Sequence, residues 1–131
     1  MHAMIDSPRE RSVAITIGLV GASAVLLGAA GAHYLQSRLG VRGEDLWRTA
    51  VGYHFWHALA YSLGAFVAPR GRARTLALWA FVLGIVLFSG SLYALALGAP
   101  AWLGAVTPLG GLGFVIGWLA LANSFGRSRG V

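Results

Sequence analysis

Residues 75–98, TLALWAFVLGIVLFSGSLYALALG, decide the fold. They hold no Asp, Glu, Lys or Arg, and a helix over them exceeds the roughly 20 residues that cross a bilayer. At this length continuous hydrophobicity means a spanning or fully enclosed helix, whatever the finer periodicity. Three further runs of the same kind accompany it, at about 12–34, 47–68 and 102–122. None of them contains Asp, Glu or Lys, and Arg48 at the mouth of the second is their one arginine. The run over 12–34 is too long and glycine-rich for a cleaved leader. It ends in Gly31-Ala32-His33-Tyr34 rather than a small-residue cleavage site. The expected fold is all-α: a single integral membrane domain over 1–131, built as a four-helix bundle of two helical hairpins.

Composition points the same way. The chain has 131 residues, 57% of them hydrophobic and 11% charged, where globular domains carry about 25% charge. A core of this size cannot enclose that much apolar surface, so lipid is the expected solvent for the rest. No cysteine is present, which excludes disulfides, thiolate catalysis, iron–sulfur clusters and zinc ribbons. The ten basic residues are all arginine and give a formal net charge of +6. They sit beside the apolar runs, as topology signals do, so nucleic acid is not an expected partner. Arg9 and Arg11, Arg70, Arg72 and Arg74, and Arg127 and Arg129 fall on one side of a four-span chain. Arg38, Arg42 and Arg48 fall on the other, offset by Glu44 and Asp45. Arginine excess marks the cytoplasm. The expected location is therefore a bacterial inner (plasma) membrane, multi-pass, with both termini cytoplasmic.

Helices in lipid associate through close packing, so small residues mark contact faces. Gly28 and Gly31 form such a stripe on the first helix, and Gly113 and Gly117 form a GxxxG pattern on the fourth. Packing within the bundle is the expected use of these glycines. The alternative is an interface with a second copy or a larger membrane complex.

Five motifs follow one another in order: Gly28-Ala29-Ala30-Gly31-Ala32-His33, Trp47-Arg48-Thr49-Ala50-Val51-Gly52-Tyr53, His57-Ala58-Leu59-Ala60, Phe88 to Leu95, and Thr107-Pro108-Leu109-Gly110-Gly111, closing on Gly117-Trp118. This set resembles the small inner-membrane proteins catalogued as domain of unknown function 423. The resemblance spans about residues 20–122. It implies a four-helix membrane fold and no assigned activity. His54 departs from the family pattern, in which another polar residue such as Gln is usual.

Depth arithmetic places the polar side chains. With a rise of about 1.5 Å per residue across a core roughly 30 Å thick, His33 reaches the outer boundary. Tyr53, His54 and His57 lie roughly 9 to 15 Å below it. Ser89, Ser91 and Tyr93 fall in the outer third of the third helix, and Thr107 sits near the same level. The inner half is nearly all Leu, Val, Ala and Gly. Polar groups at such depth find partners or face water. The first expectation is a hydrogen-bonded cluster of His57, Tyr93 and Ser89 or Ser91 that pins the helices. Pro108 is expected to free a carbonyl of the fourth helix for it. The alternative is a ligand site on the same cluster, opening to the outer leaflet and taking a lipid, quinone or other cofactor.

No metal site is assigned. His54 and His57 share a helix face, with His33 in reach from the first helix, and this trio suits zinc or copper. Yet no carboxylate supports it, and Met1 and Met4 lie in the tail. No cofactor is predicted, although haem, quinone and metal stay open. No catalytic residues are assigned either, because a Ser89–His57 pair lacks the acid that orients such a base. The expected function is a non-enzymatic structural or accessory membrane subunit.

Overall fold

The computed structural model describes residues 7–127 as an all-helical chain; Met1, Met4 and Arg129 lie outside the described residues. Four helices carry the fold. Helix α1 runs from Pro8 to Tyr34. Ser7 caps it by accepting from the Glu10 amide at 3.2 Å, with Pro8 in the first turn, where its missing N–H costs nothing. Its last residues, Ala30–Tyr34, widen into a π turn. Helix α2 covers Val41–Val67 and stops because Pro69 holds Ala68 in extended backbone.

Helix α3 spans Arg72–Ala96, with a π turn at Ile85–Ser89 between the α-helical segments Arg72–Gly84 and Gly90–Ala96. It closes on Gly98, whose φ of 92° few other residues adopt. There the Ala99 amide bonds the Ala94 carbonyl at 2.9 Å and the Gly98 amide bonds Leu95 at 3.1 Å, the paired bonds of a Schellman end. After a 3-10 turn over Ala101–Ala105, α4 runs Thr107–Arg127.

Helices α3 and α4 form the tightest pair, α2 lies on α3, and α1 lies on α2. The core joins Ala60 and Tyr61 of α2 to Leu78, Phe81 and Ile85 of α3 and to Phe114 and Leu121 of α4. Helix α1 is peripheral, with Ala24 as its buried residue. The outer faces of all four helices are apolar: Leu26, Phe66, Leu83 and Leu119 are each more than half exposed.

Three helices are long and apolar enough to cross a membrane: Pro8–Tyr34, Arg72–Ala96 and Ala101–Arg127. Three of the four expected runs meet that measure; α2, at 27 residues, is long enough and less apolar. Tyr53, His54, His57, Tyr61 and Ser62 dilute its hydropathy, and two of these, His54 and His57, are enclosed among its neighbours. It begins at Val41 rather than about 47, because the charged stretch through Asp45 continues the helix instead of forming a loop. Pro108 is corrected too. It stands in the first turn of α4, where the amide would be unpaired in any case, so it frees no carbonyl inside the helix.

Candidate functional site

The polar side chains at mid-helix spend their hydrogen bonds on other helices and on their own backbone. His54, 4% exposed, bridges three of them. Its Nε2 lies 3.2 Å from Ser23 Oγ on α1, and its Nδ1 lies 3.0 Å from Tyr93 Oη on α3. Ser23 donates its one proton to the Leu19 carbonyl at 2.6 Å. Its oxygen therefore accepts from His54 Nε2–H, which leaves Nδ1 to accept from the Tyr93 hydroxyl. The result is a one-way chain of donors from α3 through α2 to α1.

His57 has the opposite tautomer. Its Nδ1–H donates to the Tyr53 carbonyl at 2.7 Å, because a carbonyl can only accept. Its Nε2 accepts from Trp118 Nε1–H on α4 at 3.2 Å. The ring lies flat on Phe114, with centroids 3.5 Å apart and planes at 12°. The expectation that His57 meets Tyr93 is therefore corrected: His54 takes that place. A step of three residues turns about 60° and rises about 4.5 Å along a helix. That moves the ring from the seam with α1 and α3 to the one with α4.

The serines are also used singly. Ser89, fully enclosed, donates to the Ala50 carbonyl of α2 at 2.7 Å. Ser91 pairs with Thr107 Oγ1 at 2.6 Å across α3 and α4. Tyr53 packs its ring on Phe88 at 4.5 Å. His33 is exposed in the π turn that ends α1, remote in sequence and exposure from the two buried histidines. Among the described residues no group of three metal-type side chains converges. For Ser89→Ala the expected cost is the mean for an interhelical bond in a membrane protein, about 0.6 kcal/mol and at most about 1.7. Unfolding in mixed micelles reads it directly, and a loss of several kcal/mol would show that Ser89 does more than hold Ala50.

Glycines set the helix distances. Gly31 receives the Trp47 indole, and Gly28 faces Val51. The same indole donates to the Leu27 carbonyl at 2.9 Å and packs on Tyr93 at 4.7 Å. Gly117 lies under the Phe81 ring, and Gly113 lies against the backbone of Ala80 and Gly84. Ser23 and Trp118 are the network members that sequence reading missed as partners. Ser23 sits in a run of small residues with no motif around it, whereas Trp118 was visible as an indole, a side chain with one N–H to donate.

At the other end of the helices a charged group joins α1 to α3. Glu10 Oε1 accepts from Arg70 Nε at 3.3 Å and from Arg74 Nη1 at 3.4 Å. Arg74 Nη2 donates to the Ala65 carbonyl at 2.8 Å, and Arg9 Nη2 donates to Thr75 Oγ1 at 2.9 Å. Arg74 is 6% exposed. Among the described residues, its Nε is the one buried side-chain nitrogen or oxygen without a partner. Sequence reading did not single out Glu10, whose partners lie sixty and more residues away in the chain.

Comparison with known proteins adds a family and no activity. A family model described as protein of unknown function (DUF423) matches residues 27–111. The UPF0382 membrane protein YwdK of Bacillus subtilis is 44% identical over 114 residues, covering 83% of this chain and 92% of the relative. The UPF0382 inner membrane protein YgdD of Escherichia coli is 40% identical over 112 residues, covering 83% and 85%. A UPF0382 membrane protein of Haemophilus influenzae is 37% identical over 114 residues, covering 86% and 92%. No solved structure matches the chain. With the motif order, the four helices and this identity along most of its length, the chain belongs to the DUF423 family of bacterial membrane proteins of unknown function.

Proposed function

We propose that the chain is a four-span protein of the bacterial inner membrane, with both termini cytoplasmic, and that it serves as a non-enzymatic structural or accessory membrane subunit. The observation that carries the reading is the pairing of the polar side chains at mid-helix. The two buried histidines, Tyr93, Ser89 and Ser91 each bond another side chain or a carbonyl, so none is held ready for a substrate. Neither histidine has a carboxylate beside it to orient it as a base.

Helix α2 completes the count of spans despite its lower hydropathy. Its polar residues His54, His57 and Ser62 are turned toward neighbours or its own backbone, while Phe55, Trp56, Leu59 and Phe66 are exposed. Polar groups inward and apolar groups outward is the arrangement lipid demands. Arg9, Arg70, Arg72, Arg74 and Arg127 then share one side, which the arginine bias assigns to the cytoplasm.

Reporter fusions test the topology: those at Arg72 and after Arg127 are expected to read cytoplasmic, and one at Arg42 external. A cytoplasmic signal at Arg42 overturns it. A gentle native preparation tests the role. The expected result is a co-purifying membrane protein and no stoichiometric chromophore, quinone or metal. Stoichiometric haem, quinone or metal would replace this reading with a ligand site on the same polar side chains.

A further inference from the structure

We propose that the seam between α1 and α3 at the Arg70 end binds one anionic phospholipid of the adjacent leaflet. Its phosphate would lie among Arg9, Arg70, Arg72 and Arg74, with an acyl chain along Val13, Leu78 and Val82. The inference depends on the chain lying in a membrane and not on which side its termini face, so a failed topology test leaves it standing.

Two adjoining cavities give the site its shape. A volume of about 590 Å³ is walled by Arg9, Arg70, Arg72, Arg74, Thr75 and Trp79 together with Glu10. A second, of about 320 Å³, shares Arg9, Arg74, Thr75 and Trp79 and continues between α1 and α3 along Val13, Leu78 and Val82. A charged mouth thus leads into an apolar slot, which is the division of a phospholipid into headgroup and tail. The slot runs beside α1, the helix least enclosed by the others, and the Arg9–Thr75 and Arg74–Glu10 bonds span it.

Charge supplies the sign of the occupant. Four guanidinium groups meet one carboxylate, and that carboxylate shares a single oxygen between Arg70 and Arg74. The arginines also surround the start of α3, whose Gly71 cap offers no side-chain acceptor and whose first turn has no acid. Cations at a helix N-terminus oppose the macrodipole, and a phosphate there satisfies both the free amides and the guanidinium groups.

Arg74 ties the two cavities together. Its side chain is 7% exposed, it forms part of the wall of both cavities, and its Nε has no partner. Orientation signals act from exposed loops and need no enclosed arginine. Trp79, 63% exposed at the rim, is the side chain that membrane interfaces favour beside headgroups.

The test uses the full chain, purified in non-ionic detergent and stripped of lipid, then offered phosphatidylglycerol or phosphatidylcholine of identical acyl chains. Native mass spectrometry is expected to show phosphatidylglycerol retained over phosphatidylcholine. Because Arg74→Gln risks the fold, the variant is the double change Arg9→Gln with Arg72→Gln at exposed positions, expected to weaken retention about 30-fold. Arg38→Gln with Arg42→Gln removes the same charge at the opposite end and is expected to leave retention intact. Equal retention of both lipids, or equal loss in both double variants, overturns the proposal. Displacement of the lipid by millimolar inorganic phosphate also overturns it, marking a free-anion site instead.

Discussion

Gly110→Ala is expected to destabilise the protein by about 3 kcal/mol or more, opening the contact between α3 and α4. A methyl group there would stand 2.7 Å from the Phe88 Cα and still closer to the Phe88 amide nitrogen. Backbone cannot rotate out of the way as a side-chain tip can. Phe88 belongs to the π turn Ile85–Ser89, where an extra residue per turn widens the helix and carries its backbone toward α4. A residue without Cβ opposite the bulge lets the two helices meet, and Gly84, lying under Phe114, does the same one turn away. The neighbouring Gly111 is the control. A methyl group there meets Phe88 Cδ2 at 3.7 Å, an ordinary contact, so Gly111→Ala should be neutral or stabilise by about 0.5–1 kcal/mol through helix propensity. Thermal and detergent-induced unfolding followed by circular dichroism read both signs. Equal tolerance of the two alanines would mean that α3 and α4 do not approach through Gly110.

How much of this was legible in the sequence depends on the kind of signal. The helices themselves were, because runs such as 75–98 exceed a membrane's thickness and leave no other reading. The start of α2 was not. Arg42, Glu44 and Asp45 read as a polar loop, yet all three are compatible with a helix once Gly40 supplies its extended cap. The π turns carry no composition of their own, and without them the register of Ser89 and Gly84 against α2 and α4 cannot be worked out.

The polar side chains were legible as a set and not as pairs. Depth along the axis follows from counting residues, and it put His54, His57, Tyr93 and Ser89 at overlapping levels. Pairing needs rotation about the axis as well, and that is fixed by how α2 seats between three neighbours. At this precision His54 and His57 are interchangeable on paper. The structure separates them by one helical seam, giving one to Tyr93 and the other to Trp118. The Arg74 group was hidden for a different reason. Its arginines had an adequate explanation as a topology signal, and nothing in their spacing shows that one of them is enclosed.

Removing the His54 ring is expected to cost more than removing that of His57, and glutamine should restore most of the difference. His54→Leu deletes both bonds that tie α2 to α1 and to α3. Each is worth about 0.6 kcal/mol on average and up to roughly 1.7 inside a membrane bundle, so the expected loss is about 1–3 kcal/mol. Ser23 keeps its bond to Leu19, so the burden falls on the Tyr93 hydroxyl, which is left without its acceptor. His57→Leu keeps apolar volume against Phe114 and loses one interhelical bond, that from Trp118; about 1 kcal/mol or less is expected. His54→Gln carries one carbonyl to accept from Tyr93 and an amide to donate to Ser23, and should fall within about 0.5 kcal/mol of the unaltered chain. A double-mutant cycle with Tyr93→Phe isolates the pair: the coupling should match one interhelical bond, about 0.6–1.7 kcal/mol. If His54→Gln proves as damaging as His54→Leu, or the cycle shows no coupling, the chain from Tyr93 through His54 to Ser23 is not what joins these helices.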